Sequence, residues 1–186
     1  KAKDKLAKLA IAVADRRDTK EVRRGVHDGC AIAVGSDLAR NLGNRPPNVC
    51  TPSHLAREAR ALGKRYENIE VTVLGQREMK RLGMGALLSV TQGADEPPKF
   101  IIVRYRGAGT RVAPVVLCGK GITFDTGGIS IKPAEGMGLM KGDMSGAAAV
   151  IAALWGIAKL GPKINVTGLV PTTENLPGGG AIKPGD

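Results

Sequence analysis

Val112-Ala113-Pro114-Val115-Val116-Leu117-Cys118 is a nearly continuous apolar run, and a glycine-rich stretch, Gly119 to Gly142, follows it directly. Apolar residues without alternation predict a buried central strand. Beyond the glycines, Ser145–Lys159 is Ala-rich, begins with small residues and ends in Lys159 and Gly161, which predicts a helix. Ile164–Val170 is a second strand of the buried type, and Thr172–Asp186 is a Gly/Pro loop. A short strand is expected at Ile129–Ile131, inside the glycine-rich stretch. Strand, helix and strand in succession set the class: an α/β protein with a mixed, largely parallel sheet flanked by helices.

Toward the N-terminus the alternation continues. Lys99–Tyr105 and Ala86–Thr91 read as strands separated by Gly93–Pro98, Gln76–Leu82 as a short helix ending at Gly83, and Ile69–Leu74 as an alternating strand. Thr51-Pro52 opens a helix that runs to about Tyr66, with the threonine as N-cap and proline in the first turn. Asn44-Arg45-Pro46-Pro47-Asn48 is a loop, because its prolines remove backbone donors. From Thr19 to Leu42 apolar residues recur at helical spacing (Val22, Val26, Cys30, Ile32, Ala33, Leu38, Leu42), with Gly25–Gly29 or Gly35 as points where the helix would break. Residues 1–18 are Lys-, Ala- and Arg-rich and suit a solvated connecting helix.

With 186 residues, 42% hydrophobic and 24% charged, the chain can bury a core without disulfides or a structural metal, and a disordered chain is excluded. No apolar run reaches about 18 residues, so no membrane span is expected. The net charge is +11 and uneven: up to Arg111, 22 basic residues face 12 acidic ones, and from Val112 onward 6 face 5. A basic first part raises a nucleic-acid partner as an alternative. Two Phe, two Tyr and one Trp offer few stacking platforms, which favours an ordinary solvated face. Cys30, Cys50 and Cys118 form no Cys-x-x-Cys pair, and His27 and His54 cannot complete a thiolate–imidazole zinc site with them. Both histidines are expected to be surface or structural residues. Sparse, odd cysteines suit a reducing cytoplasm.

The candidate chemistry lies in the glycine-rich stretch, just past a strand, where open α/β sheets place their sites. It gathers Lys120, Asp125, Lys132, Lys141 and Asp143. Glycines let backbone approach a ligand, carboxylates there can coordinate a cation, and a lysine can donate to a developing oxyanion. Other readings of these glycines fail. A phosphate-binding loop would need glycine where Pro114 stands, and Ser145 lacks the Gly-x-Ser-x-Gly elbow.

Val116-Leu117-Cys118-Gly119-Lys120-Gly121-Ile122-Thr123-Phe124-Asp125-Thr126-Gly127-Gly128-Ile129-Ser130-Ile131-Lys132-Pro133 closely resembles the leucyl aminopeptidase (cytosol aminopeptidase) family. So do Met140-Lys141-Gly142-Asp143-Met144-Ser145-Gly146, Asn44 to Pro52, Thr173 to Gly178, and Lys183-Pro184-Gly185-Asp186. The resemblance covers residues 35–186. It implies the first part of a catalytic domain, cut short, with residues 1–34 as a connecting segment from an absent N-terminal domain. Both chain ends are expected to lie inside a longer protein.

The resemblance further implies a metal-dependent aminopeptidase that removes N-terminal residues, preferably leucine and other hydrophobic ones, from peptides. Lys120, Asp125 and Asp143 match metal ligands, with Asp125 bridging two ions. Lys132 matches the catalytic lysine, and Met140 lines the pocket for the substrate's first side chain. Two divalent ions (manganese or zinc, with magnesium or cobalt as alternatives) would lower the pKa of a shared water. Lys120 would ligate as a neutral amine, which adjacent dications favour. Bicarbonate as a base, a homo-hexamer and a cytoplasmic location belong to the same implication. A second family block, Asn-Thr-Asp-Ala-Glu-Gly-Arg-Leu, supplies two further carboxylate ligands and does not occur here. The 186 residues alone are therefore expected to be inactive. Glu174 is the nearest spare carboxylate and is expected to be structural.

Overall fold

Asn165-Val166-Thr167-Gly168-Leu169-Val170-Pro171-Thr172-Thr173-Glu174-Asn175 forms one eleven-residue strand. In the computed structural model, which describes residues 8–186, this strand is the centre of the sheet. We number the strands β1 (Ile69–Leu74), β2 (Lys99–Arg106), β3 (Val115–Cys118), β4 (Gly121–Asp125) and β5 (Asn165–Asn175). The order is β1-β2-β5-β3, with β4 also paired to β5. β1 and β2 run antiparallel, as do β2 and β5; β3 and β4 both run parallel to β5. The sheet is mixed, as expected, and helices flank it.

The helices are α1 (Thr19–Asn44), α2 (Pro52–Arg65), α3 (Gln76–Arg81), α4 (Gly85–Val90) and α5 (Ser145–Leu160). Thr51 caps α2 by accepting from the His54 N–H at 3.3 Å. The α2 face carrying Leu55, Ala56, Ala59 and Leu62 is fully buried. It joins Ile101, Val103 and Tyr105 of β2, Val166 and Val170 of β5, and Ile151 and Leu154 of α5 in one core. Tyr105 satisfies its buried hydroxyl by donating to the Pro162 carbonyl at 2.9 Å. The Tyr66 and Trp155 rings meet edge to face at 6.0 Å, fastening the end of α2 to α5.

α1 is unbroken, contrary to the expected interruption. Its glycine at 35 serves contact instead of a break: a Cβ there would stand 2.9 Å from the Ala152 carbonyl oxygen of α5. Alanine-rich α5 and Gly35 let the two backbones approach directly. The buried residues of α1 are Ala31, Gly35 and Leu42, while Val26 and Ile32 of the expected stripe are exposed.

Five further expectations are corrected. Ala86–Thr91 is helical, as α4 followed by a 3₁₀ turn at Thr91–Gly93; a short Ala-Leu-Leu run fits either period, and its helix propensity decides. Ile129–Ile131 is no strand: it continues the turn that follows β4 and pairs with none of the described strands, and Ile129 is 94% exposed. β3 is at the rim of the described sheet, not its centre, with Val115 and Val116 54% and 55% exposed. Residues 172–175 extend β5 and are not loop. Residues 8–15 form no helix, and the rest of the expected connecting helix, 1–7, lies outside the described residues. By composition Met137–Leu160 is apolar enough to cross a membrane. It is a 3₁₀ turn and then α5, which at 16 residues is about 24 Å long and has Ala147, Ile151 and Leu154 buried in the core.

His54 is a buried structural residue, while His27 is exposed. Arg45 Nη1 lies 2.7 Å from its Nε2, Arg57 Nη2 lies 3.2 Å from its Nδ1, and Glu58 stands 3.4 Å from Nε2. Burial and Arg45 hold its pKa below the usual histidine value, aided by Arg57 and only partly opposed by Glu58. The unfolded chain therefore takes up a proton more readily than the folded one. His54's contribution to stability is complete above the ordinary value, about 6.5, and is lost as pH falls below it. The urea midpoint of the full-length protein should fall between pH 8 and pH 5, and His54→Gln should flatten that fall.

Candidate metal and catalytic site

The candidate residues are organised by an interruption beside β5. In β5, alternation points the polar groups of residues 169 and 171 toward β3 and β4, where the Leu169 carbonyl accepts from the Gly119 N–H at 3.0 Å. The next donor on that side would come from residue 171, which is proline and has none. The neighbouring edge therefore breaks after Cys118 and resumes at Gly121, opposite Thr172. Lys120 stands in the break.

The N-terminus of α5 fills the gap. The Ala147 N–H donates to the Lys120 carbonyl at 2.8 Å, using one of the helix's free terminal donors. A Cβ at Gly119 would lie 2.3 Å from the Gly146 carbonyl oxygen. These glycines admit the helix end, where their sequence suggested a ligand. The Lys120 Nζ is 2.8 Å from Asp143 Oδ2. That buried oxygen takes the charge contact but no hydrogen bond, so it keeps unused acceptor capacity.

Asp125 ends β4. The chain then turns through Gly127 and Gly128 at φ +89° and +69°, a left-handed region open to glycine. It returns to let the Lys132 N–H donate to the Thr126 carbonyl at 2.8 Å. This turn carries Lys132 back onto Asp125: its Nζ is 2.5 Å from Asp125 Oδ2, 3.3 Å from the Asp125 carbonyl and 3.4 Å from Met140 Sδ. Met140 belongs to a 3₁₀ turn, Met137–Gly142, whose end places Asp143 just ahead of α5. Burial pushes the Asp125 pKa up, but hydrogen bonds from Lys132, the Gly127 N–H and the Asn175 amide outweigh it and hold the carboxyl below its ordinary value.

All five expected residues thus fall into two groups: Lys120 with Asp143, and Lys132 with Asp125 and Met140. Lys141 is separate and donates to the Asn44 carbonyl at 3.3 Å. Glu174 is buried and paired with Lys183 Nζ at 3.3 Å, which ties the last loop to the end of β5. Nothing in the sequence spacing marks Asn175 for this site, because that spacing does not show that β5 reaches so far. Two carboxylates, one of them with an under-used buried oxygen, and an amine fit a divalent cation of hard or borderline character. Among the described residues no group of three carboxylates, imidazoles or thiols forms a site by itself.

A model of the cytosol aminopeptidase family's catalytic domain matches residues 37–186. The chain belongs to the cytosol aminopeptidase family. It is 55% identical over 181 residues to a probable cytosol aminopeptidase of Cupriavidus pinatubonensis, covering 97% of this chain and 35% of that protein. It is likewise 55% identical over 181 residues to one from Methylibium petroleiphilum, covering 97% and 37%. The bottromycin maturation enzyme BotP in complex with Mn superposes with a TM-score of 0.77 at 40% identity, over 88% of this chain and 35% of that one. A mutant of tomato leucine aminopeptidase gives 0.76 at 35% identity, over 89% and 32%. The chain therefore spans about a third of the length of these relatives.

Gly119→Ala should destabilise the full-length protein by about 1–3 kcal/mol, since its Cβ meets backbone that cannot rotate away. Urea denaturation checks this; a variant as stable as the parent would show that α5 does not seat against the Lys120 segment.

Proposed function

We propose that this chain contributes the first part of the catalytic domain of a cytoplasmic, metal-dependent aminopeptidase. It would remove N-terminal residues, preferably leucine and other hydrophobic ones, from peptides. Residues 1–34 would connect to a preceding domain and residues 35–186 would begin the catalytic one. The observation that carries this reading is the contact of Lys132 with both Asp125 and Met140, at positions that match the family's catalytic lysine, ligand and pocket residue.

Lys120, Asp125 and Asp143 would hold two divalent ions, manganese or zinc first, with magnesium and cobalt as alternatives. Metal at this site would supply charge that activates water and polarises the scissile carbonyl. Manganese is favoured by the manganese complex of BotP, a structural relative. Lys132, held over Asp125 by the glycine turn, is positioned to donate to the oxygen that gains charge as the peptide bond is attacked. The Met140 side chain beside it offers an apolar, adaptable wall to the substrate's first side chain. Three donors are too few for a pair of ions, so we propose that the remaining ligands come from chain beyond Asp186. The isolated 186 residues would then be inactive. Bicarbonate as base and a homo-hexameric assembly complete the proposal.

The test is hydrolysis of a leucine anilide by the full-length protein with manganese or zinc. Lys132→Ala should lower kcat by about 10²–10³-fold, the scale of losing one stabilising donor. Asp125→Ala should lower activity further. Activity that survives both substitutions together would overturn these roles.

A further inference from the structure

Asp125 presents its two oxygens to different kinds of partner. Oδ1 accepts from two neutral, fixed donors: the Gly127 N–H at 2.9 Å and the Asn175 side-chain amide at 2.7 Å. Oδ2 faces only the ammonium of Lys132, a flexible side chain. An ionised carboxylate can only accept, so the nitrogen of the Asn175 amide is the atom turned toward it.

The pairing of β4 with β5 brings Asn175 there. Ile122 pairs with Thr173, and Asp125 pairs with Asn175, so three steps along β4 match two along β5. One extra residue is accommodated as a bulge, a device that re-aims side chains beside active sites. In unbroken register Asp125 would stand opposite Leu176, which carries no donor. Asn175 is itself fixed: its carbonyl accepts from both the Thr126 N–H and the Thr126 hydroxyl, each at 2.9 Å. It grips the turn by its backbone and the carboxylate by its side chain.

We infer that Asn175 is a positioning residue for Asp125, occupying Oδ1 and fixing the carboxylate plane so that Oδ2 is left for a divalent cation. This rests on the proposed reading of Asp125 as a metal ligand. A neutral amide orients the group without neutralising it, whereas Lys132 can withdraw when a dication takes its place. Groups that orient ligands in this way are worth roughly 10–100-fold in metal affinity.

The experiment measures binding of manganese chloride to the full-length protein by calorimetry and by electron paramagnetic resonance of free manganese. Asn175→Ala and Asn175→Leu, one smaller and one of similar size, are compared so that one reports if the other fails to fold. Each should weaken manganese binding roughly 10–100-fold. In an Asp125→Asn background the same substitutions should change affinity by less than about 3-fold, because the carboxylate they orient is gone. Equal losses in both backgrounds would mean a general structural role and overturn the inference. Unchanged affinity in the variants would also overturn it while leaving the metal site intact. A parent protein that binds no manganese would instead remove the metal reading itself, and the inference with it.

Discussion

The structure depends on β5 having strand partners on both of its sides. On one side β2 pairs with it over residues 165–172. On the other, β3 and then β4 share its edge, divided where Pro171 withholds a donor. One strand thereby supports the core and sets the position of the site. Its first half packs Val166 and Val170 against α2 and α5, and its second half carries the register that meets Asp125. A proline in a central strand would ordinarily weaken it. Here the missing hydrogen bond coincides with the gap into which the α5 N-terminus docks, so the exception and the site have one cause.

The candidate site pairs opposite charges with one another. Each expected acidic ligand, Asp125 and Asp143, has a lysine within contact distance. This keeps two carboxylates close to the sheet end without leaving either uncompensated. The other donors to Asp125, the Gly127 N–H and the Asn175 amide, are neutral and orient the carboxylate without neutralising it.

Much of the core was legible from residue pattern. The α2 stripe, its Thr51 cap and the apolar runs of β2 and β5 follow from burial and periodicity that act locally. Four of the five candidate residues, Lys120, Asp125, Lys132 and Asp143, stand out as charges clustered among glycines, but their roles, and Met140 altogether, come only from the resemblance, because two lysines and two aspartates do not by themselves specify a geometry. What escaped was non-local. Gly35 and Gly119 looked like breaks or ligand cradles, but each is small because another backbone passes within about a van der Waals contact. Ala86–Thr91 is helical although it reads as a strand, because a six-residue run with four apolar positions does not distinguish a helix from a strand. β3 has the composition of a central strand yet stands at the rim, with Val115 and Val116 open. That mismatch agrees with a chain about a third as long as its relatives.

The most direct test is a crystal structure of the full-length protein soaked with manganese, read by anomalous scattering. The account predicts manganese peaks at coordination distance, about 2–2.5 Å, from Asp125 Oδ2, an Asp143 oxygen and Lys120 Nζ, with Asn175 still bonded to Asp125 Oδ1. Manganese bound elsewhere, with the Lys120–Asp143 and Lys132–Asp125 pairs undisturbed, would contradict it.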